Sequence, residues 1–187
     1  MWALIFTLAF STGMRQAERL GLTPSELTTE NGVHGIRIEW ELQRLNGQPT
    51  IPPWLHARQI DNHHWLLPPK SQRGRRFIPL DTETWLALQT RVHEHHIKPN
   101  QLIFTTPSGH PLSSAMERRR WNQALDAAGL PHVTMRSARH FFSTALAETG
   151  AADDARKAIM GHAKITTTAG YTHWTCLLYT SDAADEL

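Results

Sequence analysis

The chain opens on a largely apolar run of ten residues, "MWALIFTLAF" (Met1 to Phe10), with Thr7 as its single polar position. That is too short to span a bilayer, and it lacks the basic start and small-residue cleavage site of a secretion signal. It reads as a buried helix entered partway and broken at Gly13. Arg15 then opens a short helix that ends at Gly21. "TPSEL" reads as another helix start, with Thr23 as cap and Pro24 at the first helical position. From Gly35 to Leu42, Ile36, Ile38 and Trp40 share one face, the period-two pattern of a strand. "LNGQ" follows and predicts a hairpin turn. His63 to Leu80 reads as a second hairpin turning through "SQRG", with Pro68 and Pro69 marking an edge or bulge beside Lys70.

Helical periodicity takes over downstream. "DTETWLALQTRVHEHH" is amphipathic and capped by Asp81 or Thr82. "LIFT" (Leu102 to Thr105) is a short extended segment. A helix capped near Ser113 stops at Gly129, another closes at Gly150, and "DDARKAIMG" places its acids at the positive end of the next. "TTTAGYTHW" predicts a last short helix. No repeat or low-complexity segment appears. Helices, a small antiparallel sheet, then more helices make an α+β chain that is mostly α.

Composition changes this picture at one place. The 187 residues are 40% hydrophobic and 19% charged, an ordinary globular balance with a formal charge of +2. The end, "CLLYTSDAADEL" (Cys176 to Leu187), reads unlike the rest and resembles the translation of a sequencing-library adaptor. Residues 176–187 are therefore expected to be a non-native tail, outside fold reasoning. They hold three acids (Asp182, Asp185 and Glu186) and no base, so without them +2 becomes +5. They also hold the single cysteine and Tyr179, which leaves no thiol chemistry, fits a cytoplasmic compartment and makes Tyr171 the lone native tyrosine.

Four motifs then stand in order: "TGMRQAERLGL", "PPKSQRGRRFIPL", "RSARHFFST" and "MGHAKITTTAGYTH". Together they resemble the catalytic domain of tyrosine recombinases, the phage integrase family. That family shows T-G-x-R, a hairpin lysine, H-x-x-R-H, and L-G-H followed by a tyrosine nine residues on. The likeness runs from Ala3 to about Trp174, and the hairpin looks most similar to actinobacterial phage integrases. It implies that residues 1–175 form a recombinase catalytic domain whose N-terminal DNA-binding domain is missing.

What the resemblance implies chemically fits the residue types. The family attacks the scissile phosphate with a tyrosine hydroxyl, forms a 3′-phosphotyrosine and releases a 5′-hydroxyl, so the reaction rests on positioning and charge stabilisation. By resemblance Arg15 and Arg139 clamp the non-bridging oxygens, for which a planar, permanently charged fork is suited. Lys70 would be general acid, His162 a third phosphate ligand and Tyr171 the nucleophile. No cofactor and no metal are implied. The implied partners are double-stranded DNA attachment sites, a homotetramer on DNA in the full-length form, and accessory DNA-bending or directionality factors, without a membrane.

One position departs from the pattern. Arg136 stands where the family places histidine, three residues before Arg139. Arg136, Arg139 and His140 can share a helical face. A guanidinium can contact phosphate but does not accept a proton, so the proton acceptor for Tyr171 is left open.

Blander readings apply elsewhere. Arg73, Arg75 and Arg76 compete with Lys70 and read as contacts to the DNA backbone or as solvated charges. "RVHEHH" lacks the partner cluster that zinc needs. The run "MERRRW" (Met116 to Trp121) is either phosphate-facing or solvated, and Phe141 and Phe142 read as core. Two alternatives remain beside a site-specific recombinase: a catalytically impaired DNA-binding remnant and a type IB topoisomerase-like enzyme.

Overall fold

The computed structural model describes residues 1–47, 49–150 and 152–161. The last predicted helix, with His162 and Tyr171, lies outside them. The apolar opening run folds as α1 (Trp2–Thr12), which buries Ile5, Leu8, Ala9 and Thr12. It ends at Gly13 with φ of +60°, where a Cβ would lie 2.5 Å from the Phe142 ring. Glycine thus supplies both the left-handed turn and the close approach of a later helix. The expected short helix is α2 (Gln16–Leu20), flanked by Arg15 and Gly21.

One helix expectation and three β expectations are corrected. "TPSEL" makes only a 3-10 turn (Pro24–Glu26) and then runs into β1 (Leu27–Glu30). β1 pairs antiparallel with β2 (Val33–Arg37). The turn between them is Asn31-Gly32, with φ of +51° and +82°, the two-residue hairpin signal that favours Asn-Gly. "LNGQ" makes no such tight hairpin: β3 (Glu41–Arg44) pairs with β5 (His64–Leu67), and β5 also pairs with β4 (Arg58–Gln59). The stretch from His63 to Leu80 is no hairpin either. β5 belongs to the β3-β5-β4 sheet, whereas β6 (Phe77–Pro79) pairs with β2 in the β1-β2-β6 sheet.

The predicted single strand from Gly35 to Leu42 is therefore split between two three-stranded sheets. Glu26 occupies the break. One carboxylate oxygen accepts from the Glu39 and Trp40 N–H groups at 2.9 and 3.2 Å. The other accepts from the Thr23 N–H and hydroxyl at 2.9 and 3.0 Å. Backbone donors that leave a ladder need such partners when buried. Burial pushes the Glu26 carboxyl up to about 7 even against these four donors.

The helices follow their predicted caps. In α3 (Thr82–Glu94) the Asp81 side chain accepts from the Thr84 N–H. In α4 (Ser114–Ala127) Ser113 accepts from the Met116 N–H. α5 (Arg136–Glu148) and α6 (Asp153–Met160) complete the described chain. "LIFT" is corrected as well: Ile103 and Phe104 lie in bends, and only Thr105 makes an isolated bridge, to Pro111. The core joins α1, the first sheet and α3 through Ile5, Leu8, Ile36, Ile78 and Leu88, with Ile103 and Phe104 closing it. α2 is tied to α4 by a buried pair, Arg19 Nη2 to Glu117 Oε1 at 2.5 Å, and Gln16 donates to the same carboxylate. Among the described residues no helix is long and apolar enough to cross a membrane.

Candidate active site

The site is built around one carboxylate that the sequence reading passed over. Arg15 takes extended backbone and caps α2, and Glu18 reaches back to its N–H at 2.7 Å. A glutamate three residues into a helix commonly satisfies such an orphan donor, so the Arg15-x-x-Glu18 spacing was the available signal. Glu18 is fully buried. It also accepts from Arg15 Nη1 at 2.7 Å and, on both oxygens, from the Arg76 fork at 2.8 Å each. Burial alone would raise the Glu18 carboxyl. The Arg76 hydrogen bonds and charge, followed by Arg15, outweigh it and hold the group at about 2.

Arg76 corrects a second expectation. It is neither solvated nor free for DNA but only 3% exposed. Its register was legible: Arg76, Ile78 and Leu80 alternate inward along one face, while Arg75 points out and meets Glu39 at 3.4 Å.

The two predicted clamp arginines converge, 124 residues apart in the chain, on the end of α6. The last carbonyls of a helix have no partner within it and carry its negative dipole end. Here each accepts from a different guanidinium. Ile159 O accepts from Arg76 Nε at 2.5 Å, Met160 O from Arg139 Nη2, and Gly161 O from Arg15 Nη2 at 3.1 Å. Arg139 Nη1 also donates to Gly13 O at 2.6 Å, which fastens the end of α1 to the same point. Arg15 remains 39% exposed and Arg139 half-buried, so both stay within reach of a ligand.

Positive charge is in excess. Glu18 offsets Arg15 and Arg76. Arg139 pairs with carbonyls, and burial, then the charges of Arg15, Arg76 and Arg136, lower it to about 10. Arg136 begins α5, is exposed, and has no acidic residue beside it in the first turn. A cation at a helix N-terminus opposes the dipole, a placement suited to a bound anion. His140 is exposed on the same helix. Lys70 is exposed in the bend after β5. The Glu41 carboxyl is raised by burial and by Glu18, and is pulled back by Arg15 and Lys70. The structure thus brings Arg15 and Arg139 together, with Arg136 one turn before Arg139 on α5, while His162, next after Gly161, and Tyr171 lie outside the described residues.

The other motifs sort differently. In "MERRRW" Glu117 is buried, whereas Arg118, Arg119 and Arg120 are exposed on α4. Phe142 packs on the core, but Phe141 is 59% exposed, with its ring edge-on to Phe10 at 5.6 Å. Among the described residues no three His, Cys, Asp or Glu side chains are grouped to hold a metal.

The chain has relatives among known proteins. The chain is 28% identical over 182 residues to a tyrosine recombinase XerC-like protein of Caldanaerobacter subterraneus subsp. tengcongensis, covering 90% of this chain and 44% of that protein. It is 25% identical to the transposase from transposon Tn916 of Enterococcus faecalis, over 88% of this chain and 40% of that one. The chain spans less than half the length of these curated relatives. Among solved structures, the Tn1549 transposon integrase in complex with circular intermediate DNA superposes with a TM-score of 0.65 at 25% identity, over 87% of this chain and 51% of that one. The fold is that of tyrosine recombinase catalytic domains. The model of the phage integrase family matches residues 2–176, and the chain belongs to that family.

Proposed function

We propose that residues 1–175 are the catalytic domain of a site-specific DNA recombinase, an integrase of a mobile element that acts in the cytoplasm on double-stranded attachment sites. The observation that carries this reading is the convergence of Arg15 and Arg139 on the last turn of α6, immediately before His162, with positive charge left over. Arg15 and Arg139 bind the non-bridging oxygens of the scissile phosphate, and His162 adds a third hydrogen bond. The Tyr171 phenol loses its proton to solvent, and its oxygen forms the new bond to phosphorus. The bond to the 5′ oxygen breaks, and Lys70 gives that oxygen its proton. The phosphotyrosine stores the bond for rejoining, without a cofactor. The full-length protein acts as a homotetramer on DNA with accessory factors. Residues 176–187 are foreign to it.

The deciding experiment incubates the full-length protein that carries this domain with a nicked suicide duplex and looks for a covalent adduct. Absence of an adduct while DNA still binds favours the impaired remnant. Relaxation of supercoiled DNA without paired sites favours a topoisomerase. Binding itself is expected to weaken steeply with salt, each phosphate contact adding about 0.9 to the log–log slope. Affinity insensitive to salt would remove the basis for a phosphate-directed surface.

Arg136 sets a pH dependence. A cation within about 4–6 Å of a phenol lowers its pKa by roughly 1–3 units. From a reference of about 10, Tyr171 would stay largely protonated near neutrality, and Arg136 accepts no proton from it. Single-turnover cleavage is therefore expected to keep rising from about pH 6 to 9. Restoring a base with Arg136→His is expected to raise the neutral rate by up to roughly 10²-fold and flatten the profile. If Arg136→His is slower at every pH, Arg136 is a phosphate ligand and the base lies elsewhere.

A further inference from the structure

Arg76 has no part in the chemistry above, yet it is the most enclosed guanidinium at the site. Four of its five N–H donors are directed to fixed acceptors. Nη1 and Nη2 hold the two Glu18 oxygens at 2.8 Å each, Nη1 also reaches Gly74 O at 3.1 Å, and Nε donates to Ile159 O at 2.5 Å. Three pieces of chain meet on this one side chain: the segment that begins at Lys70 and turns through Gln72–Gly74, the start of α2 with Arg15 and Glu18, and the end of α6. The contact also explains Gly161. A Cβ there would sit 3.1 Å from Arg76 Nη1 and 3.3 Å from both its Cδ and the Arg73 carbonyl, on a backbone of φ +65°.

We infer that Arg76 is a positioning residue for strand cleavage, which holds the α6 C-terminus, the Gln72–Gly74 turn and the Arg15–Glu18 pair in one register. The inference rests on the recombinase reading above. Arginine is required because a planar fork can hold a carboxylate with two donors and still present Nε to a carbonyl at its side. A lysine ammonium keeps the charge but has no such fixed geometry. Arg76 is too enclosed to touch DNA, so its loss is expected to act on rate and not on affinity.

The test uses the full-length protein and measures three quantities for Arg76→Met, Arg76→Lys and Gly161→Ala: single-turnover cleavage of the suicide duplex, affinity for the same duplex, and melting temperature. A displacement of about 1 Å at a reacting group costs roughly 10²-fold. Arg76→Met is therefore expected to cleave about 100-fold more slowly, with DNA affinity within about 3-fold of the parent. Arg76→Lys is expected to fall between them, and Gly161→Ala to lose cleavage in the same rate-only manner. Should Arg76→Met melt below the assay temperature, Arg76→Lys carries the test, because it keeps a positive charge beside Glu18. Parental cleavage by a folded Arg76 variant overturns the inference. So does a fall of rate and affinity by the same factor, which would mark general damage. If the parent itself forms no adduct, the recombinase reading fails first and this inference falls with it.

Discussion

Tyr171→Phe in the full-length protein is expected to form no covalent adduct on a nicked suicide duplex, while its affinity for that duplex stays within about 2-fold of the parent. Phenylalanine keeps the ring and removes only the oxygen that makes the new bond to phosphorus. The cations at the site would still bind and polarise the phosphate, but nothing would accept it. Tyr171 is the lone tyrosine among residues 1–175. Denaturing electrophoresis of labelled duplex reads the result directly. An adduct that survives the substitution removes Tyr171 from its role and calls for mapping of the residue that replaced it.

Glu18→Gln is expected to be the most destabilising single change at the site. The Glu18 carboxylate is fully buried and is the anionic partner of Arg76, itself buried, and of Arg15. Taking one partner from a buried pair leaves an uncompensated charge and costs about 3–5 kcal/mol. The same group sets an acid limb. Its folded value of about 2 lies below its ordinary 4.5. Its contribution is therefore fully present above about pH 4.5 and is lost as pH falls toward 2 and below, about 3 kcal/mol in all. Urea titrations across this range are expected to show the parent losing stability and Glu18→Gln, already weak, losing much less. Equal midpoints for the two proteins at neutral pH would show that the pair contributes nothing net.

What was legible in the chain is what neighbours determine. Asp81 and Ser113 cap the helices they precede, because a short acceptor side chain reaches a backbone N–H three residues on. Gly13, Gly129, Gly150 and Gly161 end helices in the left-handed region that other residues avoid. The β region was read less well, for a definite reason. Period-two alternation of Ile36, Ile38 and Trp40 reports which face is inward, not which sheet a residue joins. Glu26, a residue distant from the break, ends β2 by taking the N–H groups of Glu39 and Trp40. Likewise β5 and β6 flank the "SQRG" turn yet pair with different partners, since pairing is decided by contacts far along the chain.

The sequence alone supplied the candidates for the chemistry: the order Arg15, Lys70, Arg136, Arg139, His162 and Tyr171, the arginine at position 136 where the family pattern has histidine, and the excess of positive charge. Covalent identity fixes which groups can bind a phosphate or carry a proton. Only the tertiary structure decided what each cation does. Arg73, Arg75 and Arg76 are equivalent as letters. Folding turns Arg75 toward Glu39 at the surface and Arg76 inward to Glu18, 58 residues away, and to the end of α6. An ion pair takes its strength from burial and from the distance between its partners. Both are properties of packed elements and neither is written in local spacing.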